Sequence, residues 1–135
     1  MEQLGAESNL NIDWNLIDTI LLDLDGTLLD LNFDLEFWLE YIPKVYSKKN
    51  NISLENAKEI VISMITSQEG KLTWYCLDYW EEKLSLDIMK LKGDISHLIQ
   101  VHDHALNFLQ TAKKNNKRLY LVTNAHRKGI KLKMK

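Results

Sequence analysis

The stretch Thr19–Asp30, TILLDLDGTLLD, places two aspartates and a Gly-Thr turn directly behind an apolar run. An uninterrupted apolar run of this length is typical of a strand that is covered on both faces of a sheet. Residues two apart on an extended strand share a face, so we expect Asp23 and Asp25 to project together and Leu24 to enter the core. Gly26 lets the backbone turn away. The stretch therefore predicts two carboxylates at the carboxyl end of a strand, where open α/β sheets bind ligands.

A long helical segment is predicted to follow this strand, because apolar residues recur at three- and four-residue steps. We expect the first helix to begin near Asp34, with this residue as its N-cap, and Pro43 to kink or divide the helix. The other predicted helices run over 53–70, capped by Ser53, over 73–84, over 87–100 with an interruption near Gly93, and over 105–112.

A second apolar strand is predicted over Leu119–Val122, and it is followed by the polar residues Thr123 and Asn124. This gives two strands, separated by helices, that both end in hydrogen-bonding side chains. The Thr123 hydroxyl can donate to a phosphate oxygen, with backbone N–H groups alongside. The overall pattern predicts an α/β fold with its site at the strand ends.

The bulk properties limit the classes of function. A chain of 135 residues has single-domain size, and its net charge of −2 lacks the basic excess of a nucleic-acid or membrane surface. No run approaches the roughly 18 apolar residues of a membrane span, and the N-terminal residues do not resemble a signal peptide. The single cysteine, Cys76, fits a reducing cytoplasm. We expect a cytoplasmic protein with a small polar substrate and no nucleic-acid or membrane partner.

Two carboxylates at one strand end can divide the work of phosphoryl transfer. An ionised Asp23 can form an aspartyl-phosphate, and Asp25 can protonate the leaving alcohol and later deprotonate the attacking water. Two like unit charges about 4 Å apart repel by about 4 kcal/mol at an effective dielectric of about 20, so this attack requires a cation. Mg²⁺ prefers carboxylate and phosphate oxygens, which makes Asp23 and Asp25 its candidate ligands. The competing interpretation is an acidic turn without chemistry.

The strings LLDLDGTLLD and LVTNAH resemble the first and second signature motifs of the haloacid dehalogenase superfamily of phosphohydrolases. The segments DTILLDLDGTLLDLNFD, LTWYCLDYW and LVTNAH are similar, in order and spacing, to its bacterial GMP/IMP 5′-nucleotidase branch. The resemblance implies a partial Rossmann-like core of parallel strands over 14–30 and 102–135, with an inserted helical cap over 31–101. Residues 1–13 would form a loose extension.

The resemblance also implies a reaction and a set of roles. The reaction would be Mg²⁺-dependent hydrolysis of a purine nucleoside monophosphate. Asp23 would be the nucleophile and a metal ligand, and Asp25 the acid–base group and a ligand through its carbonyl. Phosphate would be bound by Thr123, Asn124, Gly26 and Thr27. A purine could stack on Trp74, Tyr75 and Tyr79, although the interpretation that these aromatic residues form the core and interface of the cap is favoured over stacking.

Members of this family continue past the second motif with a lysine that holds the nucleophile and a later acidic motif that completes the Mg²⁺ site. We therefore expect a truncated form with weak or no activity on IMP or GMP. Its terminal lysines, Lys128, Lys131, Lys133 and Lys135, are expected to be solvated and not at the nucleophile.

Missing strands would leave an apolar sheet edge, which predicts self-association. Two other functions stay open. One is a phosphatase of the same fold acting on phosphoglycolate or a sugar phosphate, which the WYCLDYW segment disfavours. The other is a non-catalytic fragment that binds phosphate or a partner.

Overall fold

The computed structural model describes residues 12–135, so nearly all of the predicted N-terminal extension lies outside the described residues. Two strands, β1 (Thr19–Leu22) and β2 (Arg118–Leu121), pair in parallel, with Leu22 opposite Leu121. The chain between the two strands is helical, and one further helix follows β2. The predicted α/β class with parallel strands is confirmed.

Seven α-helices lie within the described residues, and most of them fall between the strands. Their bounds are α1 (Asn32–Glu36), α2 (Ile42–Asn50), α3 (Leu54–Thr66), α4 (Leu77–Leu84), α5 (Ile88–Asp94), α6 (Ala105–Lys114) and α7 (Arg127–Lys133). Over the described residues, no helix is both long enough and apolar enough to cross a membrane.

The sheet is covered on one face only by the described residues, so the prediction of a doubly covered strand is wrong. Ile20 is half-buried near α6, whereas Leu21 is 66% exposed. Tyr120, which pairs with Leu21 in the parallel register, is 53% exposed. An apolar run shows that a strand is hydrophobic, but it does not show whether a second layer of the fold covers the other face of the sheet.

The first helix begins earlier than predicted, and Asp34 is not its cap. Helix α1 starts at Asn32, and no side chain caps it. The Asp34 carboxylate instead binds two lysines, as described below. Ahead of Pro43, residues Phe37–Tyr41 form a π-helical turn, in which the Ile42 N–H donates to the Phe37 carbonyl. Because proline has no N–H and crowds the preceding turn, the predicted disturbance of the helix is present as this wider turn.

The remaining helix boundaries are partly as predicted. The Ser53 hydroxyl accepts from the Asn56 N–H at 3.2 Å, which confirms it as the N-cap of α3. The helix predicted from Thr73 is interrupted, because Leu72–Tyr75 form a separate 3₁₀ turn and Cys76 is extended. The break predicted near Gly93 falls after α5, ahead of a 3₁₀ turn over Ser96–Leu98.

The largest buried cluster belongs to the helical segment between the strands. Its members are apolar and come from α1 through α5, and they include Phe33, Phe37, Ile42, Val61, Leu77, Trp80, Leu84 and Ile88. Each such side chain contributes about 1.5–3 kcal/mol when fully buried. Leu132 of α7 also packs against this cluster. The helix that follows β2 is therefore attached to the helical segment, and the predicted domain boundaries stay a prediction.

Candidate active site

The turn after β1 is tight and internally hydrogen-bonded. The strand ends at Leu22, so the alternation that would place Asp23 and Asp25 on one strand face does not extend to them. Leu24 is 1% exposed, as predicted, and its carbonyl accepts from the Leu29 N–H at 2.9 Å. Gly26 has a φ of +77°, a conformation that glycine adopts without strain, and its N–H donates to the Leu29 carbonyl at 2.7 Å. The turn thus fixes the backbone on both sides of Asp25.

Asp23 and the end of β2 lie at the same edge of the sheet. The Val122 N–H donates to the Leu22 carbonyl at 2.8 Å, which carries the parallel register one step past the strands. Asp23 directly follows Leu22, and Thr123 directly follows Val122. Asp23 is exposed, and its Oδ1 accepts from the Leu24 N–H at 2.7 Å. The strand ends therefore bring the predicted nucleophile and the predicted phosphate-binding threonine together.

The polar residues after β2 make short-range contacts. The Thr123 hydroxyl oxygen accepts from the Ala125 N–H at 3.1 Å, which leaves its hydrogen for donation to another group. His126 caps α7, since its Nδ1 accepts from the Lys128 N–H at 3.3 Å. Asn124 and Thr27 are exposed. The phosphate-binding roles predicted for these residues stay predictions.

Four alternating charges connect the turn after β1 with the helical segment, and we call this series the charge chain: Asp25, Lys133, Asp34 and Lys92. The Lys133 ammonium lies 2.5 Å from Asp25 Oδ1 and 2.5 Å from Asp34 Oδ2. The second oxygen of Asp34 accepts from Lys92 at 3.0 Å. The side chains of both lysines are almost fully buried, at 5% and 4% exposure. Paired charges of this kind avoid the cost of a lone buried ion.

The position of Lys133 corrects the expectation that the terminal lysines are solvated. Lys131 and Lys135 are exposed, and Lys128 is about half exposed in a pair with Asp78. Lys133 differs because it shares a helix face with Gly129, four residues earlier, which is buried against Leu77. The glycine was the available signal that this face of α7 points inward.

Burial and the neighbouring charges shift the pKa values of two members of the charge chain, Asp34 and Lys92. Burial raises the pKa of Asp34, but the two lysines outweigh this effect and hold the pKa below its usual value. Burial lowers the pKa of Lys92, and the Asp34 charge opposes that shift. The Lys92 ammonium also lies 4.4 Å from the centre of the Phe37 ring and 4.8 Å from that of Phe33. Such cation–π contacts partly replace lost water.

An aromatic cavity of about 350 Å³ lies beside the charge chain. Its volume suits a small organic ligand. The lining combines the charged and polar groups with apolar and aromatic ones, and includes Asp25, His126, Lys133, Trp38, Trp74, Tyr75 and Trp80. Of the three aromatic residues predicted to contact substrate, Trp74 and Tyr75 are in the lining. Tyr79 is not, and it packs edge-on against Trp80 with ring centres 5.0 Å apart.

The strand ends offer two oxygen donors of the kind that Mg²⁺ uses, the Asp23 carboxylate and the Asp25 carbonyl. Among the described residues, no three His, Cys, Asp or Glu side chains cluster to form a complete metal site. The Asp23 carboxylate is exposed, and the Asp25 carboxylate is engaged by Lys133. The bridge between Asp25 and Leu29 uses the Leu24 carbonyl and the Gly26 N–H, so it does not consume the Asp25 carbonyl. Mg²⁺ commonly takes one or two such oxygens and completes its shell with phosphate and water.

Comparison with known proteins matches residues 17–134 to the family model of the haloacid dehalogenase-like hydrolases. The GMP/IMP nucleotidase YrfG of Escherichia coli strain K12 is 37% identical over 126 residues, and so is that of Shigella flexneri. The match covers 93% of this chain but 57% of each nucleotidase. A crystal structure of a HAD phosphatase from Thermococcus onnurineus matches with a TM-score of 0.75 at 23% identity, over 87% of this chain and 55% of that one. This structural likeness supports the fold alone.

Proposed function

The chain belongs to the haloacid dehalogenase-like hydrolase family, as its motifs predicted, and from this premise we propose that it acts as a phosphatase on a purine nucleoside monophosphate. The observation that carries the proposal is the cavity that Asp25 shares with Trp74 and Tyr75. It provides an acidic group and aromatic faces in one space. The resemblance to nucleotidases named for GMP and IMP favours a purine over other phosphate esters.

In the proposed reaction, Asp23 attacks the phosphorus atom and the bond to the nucleoside 5′ oxygen breaks. Asp25, protonated for this step at the oxygen that Lys133 does not contact, gives its proton to the 5′ oxygen, so the nucleoside leaves as a neutral alcohol. Asp25 then takes a proton from water, which attacks the aspartyl-phosphate and releases inorganic phosphate while Asp23 is restored. The Thr123 hydroxyl and the backbone N–H groups beside Asn124 would donate hydrogen bonds to the phosphate oxygens.

Mg²⁺ is the cofactor that the family membership favours for this site. The Asp23 carboxylate and the Asp25 carbonyl would hold it, and when bound it would neutralise the charge that repels Asp23 from the phosphate. Because no three His, Cys, Asp or Glu side chains cluster among the described residues, the affinity of the 135-residue chain for Mg²⁺ is expected to be low. Turnover by this chain is accordingly expected to be weak.

The cavity would hold the purine by stacking it on Trp74 and Tyr75. The structure leaves Tyr79 out of the lining, so its proposed role is packing against Trp80. Trp80 in turn donates its indole N–H to the Trp74 carbonyl at 3.0 Å, which orients the wall of the cavity. A cytoplasmic location is part of the same proposal and is supported by the single cysteine.

The test is a screen of phosphate release from IMP, GMP and several sugar phosphates, with and without Mg²⁺. We expect slow hydrolysis that prefers the purine nucleotides and disappears in an Asp23→Asn variant. An Asp13→Asn variant is the matched control, because Asp13 lies ahead of β1 and its Oδ1 accepts from the nearby Asn15 N–H. Hydrolysis that survives Asp23→Asn, or that prefers a sugar phosphate, would contradict the proposal.

A further inference from the structure

We propose that Lys133 is a positioning residue for Asp25, which it holds against the helical segment through the charge chain. Its ammonium contacts carboxylates from two separate parts of the chain, Asp25 and Asp34. This role rests on the proposed function, because it assumes that Asp25 is the acid–base group. In this role, the Lys133 ammonium of α7 affects the reaction through Asp25 and does not itself contact the substrate.

The Lys133 ammonium is held by two carboxylates and lies near one aromatic ring. Two of its three N–H groups point to Asp25 and Asp34, and the ammonium lies 5.5 Å from the centre of the Phe33 ring. Its side chain is 5% exposed, so water competes little for these bonds. A lysine in such surroundings behaves as a fixed point charge and not as a mobile surface group.

The backbone that carries Lys133 is held as firmly as the side chain. Gly129 packs against Leu77, and Leu132 packs against the helical cluster. At the start of the helix, Lys128 pairs with Asp78. Because α7 packs against the helical segment, that segment determines where the Lys133 ammonium lies. The ammonium in turn holds the Asp25 carboxylate in place.

Loss of this ammonium would leave two carboxylates close together. Asp25 Oδ1 and Asp34 Oδ2 both lie 2.5 Å from the same nitrogen, so they are within about 5 Å of each other. Without the cation, like charges repel and the Asp25 side chain is expected to rotate away. An acid–base group works only when its proton is within hydrogen-bond reach of the reacting oxygen, so rotation lowers the rate of the chemical step.

The kinetic test compares Lys133→Met with Lys131→Met, an exposed position on the same helix. With IMP and saturating Mg²⁺, we expect Lys133→Met to lower kcat by about 10- to 100-fold and to change KM by less than about threefold. Lys133→Arg keeps the charge and should restore part of kcat. Lys131→Met should match the wild type. A wild-type kcat in Lys133→Met would overturn the proposal.

A second measurement does not depend on turnover and so separates this inference from the proposed function. Urea unfolding of wild type, Lys133→Met, Asp25→Asn and the double variant gives the coupling between the two side chains. We expect the effects to deviate from additivity by about fivefold to tenfold in the unfolding constant, or about 1–1.4 kcal/mol. The same cycle with Lys131→Met should be additive.

The kinetic test and the unfolding test distinguish a failure of the proposed function from a failure of the positioning role. If the wild type hydrolyses no phosphate ester, the proposed function fails, and the coupling alone then decides whether Lys133 holds Asp25. Additive effects of Lys133→Met and Asp25→Asn would overturn the positioning role whatever the activity. Should Lys133→Met fail to fold, Lys133→Gln takes its place in both arms, since it removes the charge but retains a hydrogen-bond donor for the carboxylates.

Discussion

Replacing Asp34 with asparagine tests how strongly the charge chain holds the helical segment on the strand ends. The substitution keeps the shape of the side chain but removes the negative charge that Lys92 and Lys133 share. Lys92 then stays buried without an ion partner. Breaking a buried ion pair costs about 3–5 kcal/mol, and the amide oxygen that remains recovers one hydrogen bond worth about 1 kcal/mol. We therefore expect the free energy of unfolding to fall by about 2–4 kcal/mol.

Urea unfolding followed by tryptophan fluorescence measures this loss. Because the slope for a small protein is about 1–3 kcal/mol per molar urea, the midpoint should fall by about 0.7–4 M. Glu40→Gln is the matched control, since it removes a carboxylate from a surface pair with Lys58. Water screens that pair, so its midpoint should shift far less. Adding Lys92→Met to Asp34→Asn removes the orphaned ammonium and should recover most of the loss.

The stability lost on replacing Asp34 with asparagine should also become smaller as the pH falls. The folded pKa of Asp34 is below the usual value of 3.8, because the charges and hydrogen bonds of the two lysines outweigh the raising effect of burial. A carboxyl group of this kind contributes its full stability above the unfolded pKa and loses it as the pH falls through the folded pKa. The difference between wild type and Asp34→Asn should be constant above about pH 5 and shrink below about pH 4. A neutral-pH difference under about 0.5 kcal/mol, or one that grows in acid, would refute the reasoning.

Three further predictions concern the cavity, the turn and the sheet. Tyr75→Ala should raise KM for IMP by about 5- to 150-fold but leave glycerol phosphate unaffected, and Tyr79→Ala should change neither; equal losses for both substrates would contradict stacking. Gly26→Ala should lower the free energy of unfolding by about 1–2 kcal/mol, because its φ of +77° is strained for alanine; an unchanged urea midpoint would contradict this. Leu21→Lys should reduce self-association through the exposed sheet face, as measured by light scattering; a monodisperse, monomeric wild type would remove the idea.

Local sequence patterns predicted the features that depend on near neighbours. Leu24 is buried and Gly26 turns the chain, because both follow from the order of residues in one short stretch. Ser53 caps α3 through a hydrogen bond to a residue three positions away. The family, the parallel strands and the polar strand ends follow from motifs of the same local kind. The hydrogen bonds of Gly26 in its turn and of the Ser53 cap join residues only three positions apart, whereas the pairing of the two strands is a long-range contact between two locally recognisable segments.

The errors arise where a distant contact outweighs the local pattern. Asp34 is a good N-cap by composition, but it binds Lys92, 58 positions away, and Lys133, 99 positions away. The Lys133 contact to Asp25 spans 108 positions. Periodicity identifies which face of a helix is apolar, but a single lysine on that face gives no sign of the partner it will meet. Cys76 shows the same limit. The aromatic pattern predicts a helix that runs through this residue, but Cys76 is extended and α4 begins only at Leu77.

Stability alone does not explain the charge chain, since replacing a buried ion pair with apolar side chains of similar volume is often neutral or stabilising. The charges instead restrict the orientation of the Asp25 side chain. Each ammonium is held between groups on different elements, and Asp34 bonds to both, so Asp25 can adopt few orientations relative to the cavity. A purine stacked on Tyr75 and a phosphate at Asp23 would then meet an acid–base group whose position is set by the wall that holds the base. On this argument, a substitution at Lys92, which does not touch Asp25 directly, should still alter turnover through Asp34 and Lys133.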